Sequence, residues 1–138
     1  MNIFASIHAY GDFGLLILRF GLAAVFFVHG RRKQAMWKMQ SSEQMSPTML
    51  SIMRFLSVAE PLGAAAAILG LLTQLAALGF ACVMISAIFL KITKWNQPFI
   101  NKDVSPGWEF DFIILCSALA LFFTGAGALS LDRMLLGF

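Results

Sequence analysis

Four apolar stretches, each about as long as a bilayer is thick, leave this chain few ways to fold. Three are Phe13–Gly30, Phe55–Leu72 and Leu75–Ile92, and the fourth runs from Phe110 toward Leu131. A spanning helix needs ~20 mainly apolar residues at ~1.5 Å rise each. Two stretches carry a charge inside them, Arg19 in the first and Glu60 in the second. A charge at membrane depth costs at least ~2.5–3.5 kcal/mol on insertion scales, so such a residue needs a partner or a purpose. Charged residues make up only 12% of the chain and mean hydropathy is +0.81. Soluble domains hold ~25% charged residues, which points away from water as the main solvent. The spans use up most of the 138 residues and leave no room for a separate soluble domain. The expected fold is all-α: one integral membrane four-helix bundle over residues 1–138.

Local signals set the helices at about 13–31, 47–72, 74–92 and 109–125. Asp12 is placed to accept the first free N–H groups of a helix starting at Phe13. That helix ends at the basic run Arg31-Arg32-Lys33, and Trp37 follows as an interfacial aromatic. Ser46-Pro47 reads as an N-cap followed by proline at the first helical position. A shorter alternative starts the second helix at Ser57, where Ser57-Val-Ala-Glu60 has capping-box spacing. The longer helix is preferred, because residues 49–56 supply apolar length. Pro61 within it predicts a kink. Gly70 and Thr73-Gln74 mark a tight turn, with Thr73 as an N-cap. Residues 93–108, holding Asn96, Pro98, Pro106 and Gly107, read as a loop. Gly125-Ala-Gly127 breaks the last span, and Ser130-Leu-Asp132 starts a short terminal helix. Residues before Phe13 lack Lys and Arg, and the first apolar run carries Arg19, so a cleaved signal peptide is not expected.

Charge placement predicts the orientation. Of ten Lys and Arg residues, eight fall on the face of the two long loops: Arg31, Arg32, Lys33, Lys38, Arg54, Lys91, Lys94 and Lys102. Arg133 alone sits on the face of the termini. The positive-inside rule puts the long loops in the cytoplasm and both termini outside.

Depth then suggests a site. His29 and Lys91 fall near the cytoplasmic ends of the first and third spans, and Glu109 opens the fourth from the same side. Glu60 lies roughly 18 Å from the outer end of the second span. Together His29, Glu60, Lys91 and Glu109 are expected to form one polar pocket in the cytoplasmic half. Arg19, roughly 9 Å in from the outer face, is expected either to form a structural ion pair with Glu60 or Asp132, to hold backbone carbonyls near the outer surface, or to contact substrate. Asp111 beside Glu109 complements the helix dipole. The glycines read as close-packing positions. Cys82 and Cys116 match neither a metal spacing nor a redox pair and read as buried, inert thiols. No metal, haem or nucleic-acid signature is present, and no cofactor is identified from the residues.

The order of motifs resembles a known family. The segments Leu16-Ile-Leu-Arg19-Phe-Gly-Leu through His29-Gly30-Arg-Arg-Lys33, then Glu60-Pro-Leu-Gly63, Gly70-Leu-Leu-Thr73 and Gly125-Ala-Gly127-Ala-Leu-Ser130-Leu131-Asp132, are similar to the DoxX family of small bacterial membrane proteins. The resemblance implies a four-helix transmembrane bundle in the bacterial inner (plasma) membrane. It singles out Arg19, His29, Lys33, Glu60, Glu109 and Asp132, and so adds Lys33 to the pocket. Lys91-Ile-Thr-Lys-Trp95 stands where the family often carries a histidine. Founding members are linked to thiosulfate:quinone oxidoreductase or terminal quinol oxidase. The resemblance thus implies an accessory or quinone-binding subunit of a membrane redox system, with a redox enzyme or a second copy of the chain as partner. The other classes left open are an oligomeric small-solute transporter or channel, and a structural or assembly factor without chemistry of its own.

Overall fold

A computed structural model describes residues 10–43, 45–101 and 107–137. Lys102, counted above among the loop cations, and Pro106 lie outside the described residues. Five helices follow in order: α1 (Gly11–Lys33), α2 (Pro47–Leu69), α3 (Thr73–Thr93), α4 (Glu109–Thr124) and the short α5 (Leu131–Leu136). A 3₁₀ turn, Gln34–Lys38, extends α1. There is no strand among the described residues; one isolated bridge joins Ser42 and Met45. The chain folds as an all-α membrane protein with four substantial helices.

Each boundary has a local cause. Ser46 caps α2 by accepting the Met49 N–H at 3.2 Å, with Pro47 at the first helical position. The longer reading of this helix therefore holds, and α2 runs on through Pro61. It stops at Gly70, whose φ of 65° is left-handed and favours glycine. Two expected caps are corrected. Asp12 lies inside the first turn of α1, not before it, and its carboxylate accepts the Ala128 N–H at 2.8 Å from across the bundle. Thr73 does not cap α3: Leu72 holds the cap position at φ 50°, and the cap comes from Asp132.

Three helices are long and apolar enough to cross a membrane: Gly11–Lys38 (α1 with its 3₁₀ extension), Pro47–Leu69 and Thr73–Thr93. The fourth span is short, as the expected helix at about 109–125 implies. α4 has 16 residues, about 24 Å of rise, because Gly125 at φ 76° ends it. Residues 125–130 then fold back over the end of the bundle as a strap leading into α5.

The helices pack chiefly as two pairs, α1 with α2 and α3 with α4, while α2 and α3 touch less. Small residues set the approach: Ala23, Ala64, Ala67, Ala77, Ala81 and Ala118 are buried at the helix contacts. Phe26 of α1 and Phe80 of α3 stack across the centre with centroids 3.9 Å apart. The outside is apolar too, with Ile17, Phe55, Phe89 and Phe123 all well exposed, and Cys82 and Cys116 lie on it rather than buried as expected, because their helix faces turn away from the core. Such a surface suits lipid.

Candidate functional site

Glu60 is the best-buried acid in the described structure, its side chain 2% exposed at mid-length of α2. Three features of the sequence bring it a partner. Gly30 lets α2 come close: a Cβ there would fall 2.4 Å from Pro61 Cδ and 3.1 Å from Glu60 Cβ. Lys33 follows three residues later, on the same helix face as Gly30. Its flexible stem then carries the ammonium to Glu60 Oε1, forming an ion pair. The other carboxylate oxygen, Oε2, is buried and has no hydrogen-bond partner among the described residues.

Glu60 also lines a groove between α2 and α3, where helix contact is sparse. The groove holds about 630 Å³, within the range of small-molecule sites. Its walls are Phe55, Ala59, Gly63 and Ala66 on one side and Leu75, Ala76, Gly79 and Val83 on the other. Glu60 is the one carboxylate among them, and Ser86 is the one hydroxyl. The Ser86 hydroxyl already donates to the Cys82 carbonyl at 2.8 Å. Gly79 meets nothing within 4 Å of where its Cβ would be, so the space beside it is open. Gly63 differs, since a Cβ there would touch the Phe80 ring at 3.0 Å.

The expected four-residue pocket is divided by the structure. Lys91 pairs with Asp111 at 2.7 Å, and it also donates to the Gly107 carbonyl at 3.0 Å. Glu109 is partly buried beside Gly107, its Oε2 without a hydrogen-bond partner among the described residues. His29 is exposed, and none of the described contacts joins it to Glu60. Helix rotation is the reason: depth along a helix says nothing about the face a residue occupies.

The Arg19–Glu60 pairing is corrected for the same reason. Arg19 is fully buried, but Glu60 is taken by Lys33. Arg19 instead donates to the Leu129 carbonyl in the strap and packs against Gly70. Asp132 acts on it electrostatically across a longer gap. The Asp132 oxygens themselves accept the N–H groups of Leu72 and Thr73 at 2.7 and 2.9 Å. The Asp132 N–H completes the tie by donating to the Gly70 carbonyl at 2.7 Å.

A second polar network was not visible from the sequence. The Trp37 indole N–H donates to the Ser57 hydroxyl at 2.8 Å, and that hydroxyl donates to the Arg54 carbonyl at 2.6 Å. Arg54 reaches back to the Met36 and Met39 carbonyls at 3.1 and 2.8 Å. It pins the 3₁₀ turn onto α2 and so steadies the segment just beyond Lys33.

The DoxX family model matches residues 14–92, which hold the Lys33–Glu60 pair and both walls of the groove. The chain is also 32% identical, over 124 residues, to Putative oxidoreductase CatD of Bacillus subtilis (strain 168), a match that covers 88% of this chain and 86% of that protein. This protein belongs to the DoxX family of membrane proteins. No solved structure matches it.

Proposed function

We propose that this protein is a membrane subunit that binds a lipid-soluble, quinone-type ring in the α2–α3 groove, as an accessory to a membrane redox system. The observation that carries the reading is Glu60: a buried carboxylate with one oxygen unpartnered, in the wall of an otherwise apolar groove. Apolar walls with few polar groups are what a flat, hydrophobic ring with polar edges needs. Exposed Phe55, Leu62 and Leu75 at the margin leave the groove open on one side for entry from lipid. The name of the Bacillus relative, an oxidoreductase, points the same way. The redox partner is a separate enzyme or a second copy of the chain.

Gly79→Leu tests this directly. The added side chain enters open space, so the fold should persist while the groove fills. Protein purified from its own membranes in mild detergent should carry a ring lipid detectable by mass spectrometry, and the variant should lose it. Equal lipid content in both would overturn the reading.

We also propose that the membrane is the bacterial inner membrane, with the Arg31–Lys33 end in the cytoplasm and both termini outside. In a background with Cys82 and Cys116 replaced, a membrane-impermeant thiol reagent should label Met134→Cys but not Ser42→Cys in spheroplasts. The reverse pattern would invert the topology.

A further inference from the structure

We propose that the groove selects the hydroxyl-bearing, reduced form of its ring ligand over the carbonyl form, through the free oxygen of Glu60. This rests on the quinone-type reading above and adds a preference between redox states. Lys33 and Glu60 form an ion pair through Oε1. An ionised carboxylate only accepts hydrogen bonds. Its second oxygen, Oε2, is buried and receives none from the described residues, while Glu60 itself lines the groove. The Ser86 hydroxyl offers the groove no spare donor, because it donates to the Cys82 carbonyl. The exposed Cys82 thiol in the same wall is only a weak donor, so the strongest unmet demand of the groove is for a donor from the ligand.

A quinol, catechol or phenol brings an O–H to that oxygen. A quinone brings only carbonyl lone pairs, which would face the carboxylate lone pairs. A site built to receive a hydroxyl rejects the analogue that lacks it, because a buried polar group is then left unpaired. The two oxidation states share ring and tail, so the apolar walls bind both about equally. Discrimination falls to the single oxygen.

The test uses the whole protein in lipid nanodiscs under anaerobic conditions, with empty nanodiscs as the blank. A short-tailed benzoquinol and the matching benzoquinone are equilibrated separately, and retained ligand is quantified by extraction and chromatography. Wild type should retain the quinol at least ~10-fold better, the size expected for one hydrogen bond to a charged group. Glu60→Gln offers both a carbonyl and an N–H, so the preference should collapse to within about twofold while quinone retention is kept or raised. Lys33→Met/Glu60→Gln should behave like Glu60→Gln, which removes the unpaired lysine as an explanation. Equal retention of the two forms by wild type would overturn the selection and leave the quinone-type reading standing. So would a preference that survives Glu60→Gln in a folded protein. Retention of neither form by wild type would remove both.

Discussion

The two ends of this bundle treat buried charge in opposite ways. At the end where α2 turns into α3, the charges are tied to backbone. Arg19 holds the Leu129 carbonyl, Asp132 holds the Leu72 and Thr73 N–H groups, and Asp12 holds that of Ala128. Every one of these links anchors the strap or the turn beneath it, so the polar groups act as architecture. Toward the other end, charge meets charge: Lys33 with Glu60, and Lys91 with Asp111. Among the described residues a buried carboxylate oxygen is left over there on Glu60 and another on Glu109, whereas the atoms left over at the strap end, Arg19 Nε and Nη1 and Thr73 Oγ1, belong to no acid. A fixed backbone partner makes a rigid joint, whereas a flexible lysine partner leaves an acid that can still engage something else.

Substitutions at the strap end should therefore cost stability, and those at the pair end should alter binding. The largest effect is expected for Gly70→Ala. Its Cβ would lie 1.9 Å from Arg19 Nη1 and 2.5 Å from Ser130 Cβ, at a φ of 65°. Left-handed strain and overpacking together should cost about 4 kcal/mol, read as lost folded yield in detergent. A variant that melts like wild type would break the view of this end as a rigid joint.

Next come Asp132→Ala and Arg19→Ala, each at about 3 kcal/mol, from hydrogen bonds to charged groups lost at buried backbone. Arg31→Ala is the control, because Arg31 is exposed and only rests over the Phe27 ring. Its loss should cost about 0.5 kcal/mol. Thermal unfolding in detergent compares the three, and equal melting of Arg19→Ala and Arg31→Ala would sink the strap argument.

At the pair end a double-mutant cycle sharpens the contrast. Lys33→Met alone leaves Glu60 buried without its cation and should lower stability by about 2 kcal/mol, less than for a fully buried pair because Lys33 is 20% exposed. Adding Glu60→Gln should recover most of that loss, since a neutral amide no longer needs the lysine. Additive losses would mean that the pair is not coupled. The smallest effect is expected for Trp37→Phe, which keeps the ring and loses one hydrogen bond to Ser57, about 1 kcal/mol on the same assay.

Much of the fold was legible because its signals are local. Ser46-Pro47, Gly70 and Gly125 each end or begin a helix through their own backbone chemistry, and the structure uses all three. That Arg19 and Glu60 are buried was legible as well, because their spans admit no water. The partner of Glu60 was not, and that of Arg19 was legible only as a kind of acceptor, a backbone carbonyl near the outer surface. Arg19 and Glu60 each needed a counterpart, but the choice depends on how α1 is rotated against α2, which Gly30 decides through its contact with Pro61. Glycine three residues before lysine was the available signal, and the sequence alone carries no measure of that contact. Which carbonyl Arg19 would hold was hidden for another reason: the Leu129 acceptor is a main-chain group that every residue possesses. Asp111, next to Glu109, showed itself as a helix-start acid but not as the partner of Lys91.

The shortness of α4 has a consequence for the surrounding lipid. Its 16 residues rise about 24 Å, against ~30 Å of hydrocarbon in an average bilayer. The neighbouring α1 and α2, at 23 residues each, match or exceed that thickness. One flank of the molecule thus meets a full-depth membrane and the other asks it to thin by several ångströms. Acyl-chain length becomes a lever on this protein: longer lipids would load the α4 flank and the strap that ends it, while the side carrying α1 and α2 stays at ease.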